Sequence, residues 1–205
     1  MDEACVFVVD DDEAVRDSMQ VLLELAGLEV KAYPSAEAFL DDFRPAPKTC
    51  LVSDVRMPGK DGLALQAELV ARGSSLPIVF ITGHGDIPMA VRAMKAGAVD
   101  FVEKPFTDET ILGSIRRALV IAGKVPDAHS PEAAELIATL TPREHDVLDL
   151  LVVGHPNKVI AHILGISPRT VEIHRARVMD KMKAPSLSQL VRTALAAGVD
   201  PGPFK

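Results

Sequence analysis

The stretch CVFVVDDDEAV, residues 5–15, runs from five apolar residues with β character straight into Asp10, Asp11, Asp12 and Glu13. Carboxylates this crowded repel one another, and a cation or protonation relieves the repulsion. A strand that delivers its carboxyl end into such a cluster decides the fold, because the strand pattern repeats. Short β-rich runs recur at LEVKAY (28–33), TCLVS (49–53), PIVFI (77–81) and AVDFVE (98–103), with helical patterns around 14–26, 35–43, 62–72, 87–96 and 107–122. Strands alternating with helices predict βα units, and hence an α/β, doubly wound, parallel five-stranded sheet. Gly27, Gly73 and Gly97 stand at three helix ends, where a left-handed residue closes the last turn.

GKVPDAHSP, residues 123–131, breaks the alternation with two prolines and polar side chains. The first domain therefore spans 1–122 and a linker 123–138, in which Ser130-Pro131 is suited to open a short helix over EAAELIATL. From 139 to 205 every element reads as helix, giving a small all-α domain. Thr141-Pro142-Arg143-Glu144 is a capping box with proline at the first helical position, starting a helix to about Val153. Asn157 to Leu164 forms a second helix, stopped by Gly165. Ser167-Pro168 opens a third to about Met182, and the capping box Ser186-Leu187-Ser188-Gln189 a fourth that ends near Gly198. A tight LGIS turn between the second and third suggests a helix-turn-helix.

The 205 residues suffice for two small domains, and 48% hydrophobic with 25% charged residues excludes a disordered chain. No run approaches the roughly 18 apolar residues of a membrane span, and the acidic N-terminus lacks a signal peptide's basic region, so the expected location is cytoplasmic. Cys5 and Cys50 open apolar runs and have no CxxC partner, which predicts buried, reduced thiols. The net charge of −7 is uneven: residues 1–125 hold 13 basic and 20 acidic groups, residues 126–205 nine of each. Between His155 and Arg192 the cations Lys158, Arg169, Arg175, Arg177, Lys181, Lys183 and Arg192 face only Glu172 and Asp180, the kind of local patch that DNA attracts.

In open α/β sheets ligands bind outside the carboxyl ends of the strands, where strand order reverses. The five strands end respectively at Asp10-Asp11, Tyr33, Asp54, Thr82 and Glu103-Lys104-Pro105. With the doubly wound order 2-1-3-4-5, strands 1 and 3 are neighbours, so Asp10, Asp11 and Asp54 converge on one edge, flanked by Thr82 and Lys104. Clustered carboxylates suit a hard cation such as Mg²⁺, and a carboxylate beside Mg²⁺, a lysine and a hydroxyl can receive a phosphoryl group. Asp12 and Glu13 read instead as the acidic start of the first helix, His84 as loop, and Phe106 as packing.

VVDDDEAVR, SDVRMPGKDG, FITGHGD and EKPF resemble the motif set of bacterial two-component receiver domains, and TGHGDIPMAVRAMKAGAVDFVEKPF is similar to FixJ-type regulators. The resemblance implies that Asp54 accepts phosphate from a sensor histidine kinase. Asp10, Asp11, Asp54 and the carbonyl of Arg56 would hold Mg²⁺, Lys104 would bind a phosphoryl oxygen, and Thr82 with Phe101 would form the switch pair.

In PRTVEIHRARVMDKM, Val171, Val178 and Met182 share one helix face at about 100° per residue, while Arg169, Ile173, Ala176 and Arg177 share the other, flanked by Thr170 and Glu172. An outer face of this kind suits a helix in the major groove. LTPREHDVLDLL together with NKVIAHILGISPRTVEIHRARVMDKM resembles the LuxR-type helix-turn-helix. That likeness implies phosphate contacts from Lys158, Thr170 and His174, and base reading near Glu172, Ile173 and Ala176. His155-Pro156 departs from the family's more usual Leu-Ser and predicts a local change at the helix entry. Arg175, toward the core side, is expected to pair with Glu144. The stripe Leu187, Leu190, Val191, Ala194 and Leu195 on the last helix suits packing, and LuxR-type domains commonly dimerise there.

The expected protein is thus a regulator rather than a metabolic enzyme. Phosphorylation of Asp54 would strengthen homodimerisation or release a masked DNA-binding domain, and the dimer would bind double-stranded DNA, with RNA polymerase as a further candidate partner. Two alternatives stand beside it. An aspartyl-phosphate phosphatase also uses strand-end carboxylates and Mg²⁺, but its DxD pattern and cap insertion are missing. A kinase-independent DNA-binding protein would not need the full motif set.

Overall fold

The computed structural model describes residues 4–83, 87–122 and 131–199; His84 and Ser130 lie outside them. The chain divides into two compact units, residues 1–84 with 96–125, and residues 85–95 with 126–205.

The first unit is built on β1 (Cys5–Val9), β2 (Glu29–Tyr33), β3 (Thr49–Asp54), β4 (Ile78–Thr82) and β5 (Asp100–Glu103). All pairings are parallel, in the order β2-β1-β3-β4-β5, as expected from the sequence. Its helices are α1 (Glu13–Leu25), α2 (Ala36–Asp42), α3 (Gly62–Ala71) and α5 (Asp108–Ile121); α4 (Ile87–Lys95) groups with the second unit. β1, β3 and β4 are buried along their whole length, as central strands covered on both faces must be. Val6, Val8, Cys50, Val52, Val79 and Ile81 pack with Met19 and Leu23 of α1 and Ile111, Ile115 and Ala118 of α5. Each such Val, Ile, Leu or Met side chain contributes about 1.5–3 kcal/mol when removed from water. Phe7 faces the opposite side, edge-on to Phe39 and Phe43.

Element ends differ by a residue or two from the quoted runs, while β3 and β4 end on the polar residues expected there. β3 runs on through Asp54, paired with Ile81, and β4 through Thr82, paired with Glu103. Both polar residues are therefore fixed by strand hydrogen bonding rather than left on loops. Gly27, Gly73 and Gly97 do adopt positive φ. Cys5 and Cys50 are free and buried; burial pushes the Cys50 thiol up to about 12 and also raises that of Cys5, which keeps both protonated at neutral pH.

The second unit's C-terminal helices are α6 (Pro131–Ala138), α7 (Pro142–Val153), α8 (Asn157–Leu164), α9 (Pro168–Lys181) and α10 (Leu187–Ala196). Val147, Leu148, Leu151, Ile160, Val171, Val178, Met182 and Leu190 share one core. The Thr141/Glu144 capping box is complete. At α10 only half of the expected box forms: Ser186 Oγ accepts the Gln189 N–H, but the Gln189 side chain turns to Arg192 and Thr193. No helix among the described residues is long and apolar enough to cross a membrane.

Candidate functional site

Parallel register brings the carboxyl ends of β1, β3 and β5 to one edge of the sheet, where Lys104 Nζ lies 2.9 Å from Asp10 Oδ2 and 3.0 Å from Asp54 Oδ1. Asp10 is 1% exposed and Asp54 7%, so two carboxylates are buried against a single ammonium. Their remaining oxygens are taken by local backbone. Asp10 Oδ1 accepts the Asp12 N–H at 2.9 Å, and Asp54 Oδ2 accepts the Arg56 N–H at 2.7 Å. Burial pushes the Asp54 carboxyl above its ordinary value, against the opposing pull of Lys104 and the Arg56 N–H, while Asp10 adds repulsion. Burial alone would lower Lys104, but its bonds to Asp10 and Asp54 outweigh that and leave it raised, hence charged at neutral pH.

The other expected pocket residues are placed as follows. Asp11 is exposed beside Asp10. Asp12 caps α1, its Oδ1 accepting the Ala14 N–H at 2.9 Å, as its acidic neighbourhood predicted. Thr82 is buried at the end of β4. Phe101 is half-buried, its ring 6.4 Å from that of Phe80. The Lys104–Pro105 peptide is cis.

Among the described residues no three of His, Cys, Asp and Glu are gathered closely enough to hold a metal ion by themselves. The expected convergence of three carboxylates is thus, in this structure, a pair joined by Lys104. The donors nonetheless suit a hard divalent cation: they are all oxygens, and the ammonium between Asp10 and Asp54 marks a point where the chain already stabilises positive charge.

Two contributors escaped the sequence reading. Gly62 opens α3 directly against the pocket, and a Cβ there would lie 2.3 Å from the Asp54 carbonyl oxygen and 3.1 Å from the Phe80 ring. Asp61 as N-cap followed directly by Gly62 was the available signal. Arg16 donates from Nη1 to the Asp10 carbonyl oxygen at 2.8 Å, a contact that no spacing rule anticipates.

On α9, Val171 and Val178 are buried, with Met182 just past its end. Arg169, Glu172, Ile173, Ala176 and Arg177 are exposed, and Ile173 keeps 48% of its surface in solvent. Lys158 is exposed on α8; Thr170 and His174 are half-buried, and His174 Nδ1 is buried without a hydrogen-bond partner. The face expected to meet DNA is therefore presented, although Thr170 also shares a hydroxyl hydrogen bond with the cap Ser167. Pro156 leaves α8 without a side-chain cap, the local change its presence predicted. Two expectations need correction. The cation on Glu144 is Lys181, at 2.6 Å, rather than Arg175. Lys181 is therefore engaged within the domain rather than available to the basic patch, and it also donates to the Thr139 carbonyl at 3.1 Å. Its position one turn beyond Arg177, at the foot of α9, lets it reach the start of α7.

Comparison with known proteins agrees with both halves. Residues 6–116 match the response regulator receiver domain family, and residues 138–194 the luxR family of bacterial regulatory proteins. The transcriptional regulatory protein FixJ of Azorhizobium caulinodans is 54% identical over 199 residues, 96% of this chain and 94% of that one. FixJ of Rhizobium meliloti is 51% identical over 205 residues, 98% of this chain and all of that one. The crystal structure of full-length FixJ from B. japonicum aligns with a TM-score of 0.54 at 48% identity, covering 95% of this chain and 97% of that one. The chain belongs to the two-component response regulators, and is a phosphorylation-controlled transcription regulator that joins a receiver domain to a luxR-family DNA-binding domain.

Proposed function

We propose that Asp54 is the phosphoacceptor, and that its modification controls homodimerisation and DNA binding by the C-terminal domain. The observation that carries this reading is the Lys104 ammonium bridging the buried Asp10 and Asp54 carboxylates. An Asp54 oxygen attacks the phosphorus of a phosphohistidine on a sensor kinase. The P–N bond breaks, its electron pair returns to the imidazole, and an acyl phosphate forms. Lys104, already 3.0 Å from Asp54 Oδ1, is placed to follow the charge onto a phosphoryl oxygen. Asp10, Asp11, Asp54 and the Arg56 carbonyl would hold Mg²⁺, which supplies charge neutralisation on the transferring oxygens when bound.

Thr82, buried at the neighbouring strand end, and Phe101, with its ring 6.4 Å from that of Phe80, would report the new charge. A kinase needs a surface beside this pocket. The apolar groove along α1, lined by Val15, Leu22 and Leu25, ends at Lys104 and Phe106 and offers one. In the second domain, Lys158, Thr170 and His174 would contact phosphates, while Arg169, Glu172, Ile173, Ala176 and Arg177 would face the bases in the major groove. Cytoplasmic location and contact with RNA polymerase complete the reading.

Mapping tests the acceptor. Protein treated with acetyl phosphate and Mg²⁺, trapped with borohydride and digested, should carry its label on the peptide containing Asp54. A label on another residue contradicts the assignment.

A further inference from the structure

Asp10 is held at three points. Its Oδ2 takes Lys104, its Oδ1 takes the Asp12 N–H, and its backbone carbonyl oxygen takes Arg16 Nη1 at 2.8 Å. Arg16 sits in the opening turns of α1, half-buried, and its own N–H returns to the Asp12 carbonyl at 3.1 Å. Residues 10–16 are thus closed into a single turn by hydrogen bonds, with Asp12 capping Ala14 inside it. A cation near a helix N-terminus opposes the helix dipole, so helix formation does not account for Arg16. A charge-assisted bond to the carbonyl behind a pocket carboxylate does.

We propose that Arg16 is a positioning residue for divalent-cation binding. Through the Asp10 carbonyl it fixes the turn on which Asp10 and Asp11 stand, and so sets the geometry in which their carboxylates meet the ion. The proposal rests on the reading of Asp10, Asp11 and Asp54 as a cation site. Groups that orient metal ligands without touching the metal typically govern 10–100-fold in affinity.

The test titrates Mg²⁺ into unphosphorylated full-length wild type, R16A and R16K by calorimetry, with melting curves in the absence of Mg²⁺. R16A should bind Mg²⁺ roughly tenfold more weakly, while melting close to wild type. R16K, whose ammonium can donate to the same carbonyl, should recover most of that loss. In acetyl phosphate reactions followed by intact mass, the Mg²⁺ concentration giving half-maximal rate should rise for R16A, with the rate at saturating Mg²⁺ unchanged. Wild-type affinity in R16A overturns the proposal. So does an equal loss in R16A and R16K that tracks a fall in melting temperature, which would mark a merely structural role. A wild type that binds no Mg²⁺ overturns the cation-site reading underneath, and is distinguishable from either result.

Discussion

A methyl group at Gly62 would sit 2.3 Å from the Asp54 carbonyl oxygen, with the Phe80 ring behind it. Backbone cannot yield as a flexible side chain does, so G62A should destabilise the receiver by about 1–3 kcal/mol through overpacking and slow phosphorylation. Thermal denaturation and acetyl phosphate kinetics measure the two effects. Lys104 presents the opposite case. Removing it in K104M leaves Asp10 and Asp54 buried without their ammonium, and the loss of one such charge-stabilising donor should lower the phosphorylation rate roughly 10²-fold, measurable by the appearance of the adduct. At this scale the sequence was legible where a side chain stood at a buried strand end, because strand ends converge by topology: Asp10, Asp54 and Lys104 meet there, while Asp11, one residue further, stays exposed. It was not legible for Arg16, or for the partner of Glu144. Long basic side chains choose among acceptors several turns away, and only the packed helices decide which one is in reach.

Within elements, α1 carries Val21 at 57% and Leu25 at 83% exposure beside the groove that reaches Lys104. If that surface receives the kinase, V21D/L25D should slow phosphotransfer from the kinase and leave the rate with acetyl phosphate unchanged; equal slowing of both would place the defect in the pocket instead. In α7, the hydrogen bond from Lys181 and then that from the Thr141 N–H hold the Glu144 carboxyl at about 2, below its ordinary 4.5. A carboxyl lowered by folding contributes stability that is fully present above its unfolded value and is lost as protons are taken up in the folded state. The helical domain should therefore weaken as pH falls from about 4.5 toward about 2, and E144Q should flatten that slope in melting curves followed by circular dichroism. Local chemistry made such features readable in part. Thr141-Pro142-Arg143-Glu144 closed its box as written, while Ser186 closed only half of its own, because Arg192 one turn along competes for the Gln189 side chain.

For the whole molecule, the βα alternation and the helical remainder made both fold classes readable in the sequence, whereas the grouping of α4 with the second unit was not. Periodicity and turn residues are local signals, and here they agree with the tertiary fold. What periodicity does not encode is how a charge on Asp54 reaches α9, because that depends on two states of the chain. DNA binding by the second domain should weaken with salt at a slope near −0.9 per neutralised phosphate, and a flat salt dependence would count against the exposed face of α9 as the contact surface. The central claim is that phosphorylation of Asp54 controls dimerisation and DNA affinity. It is tested most directly on DNA selected from random sequence, by measuring affinity and sedimentation of wild type and D54N with and without acetyl phosphate and Mg²⁺. Wild type should shift to dimer and bind more tightly when phosphorylated, and D54N should do neither; an unchanged wild type, or a D54N protein that responds equally, would contradict the account.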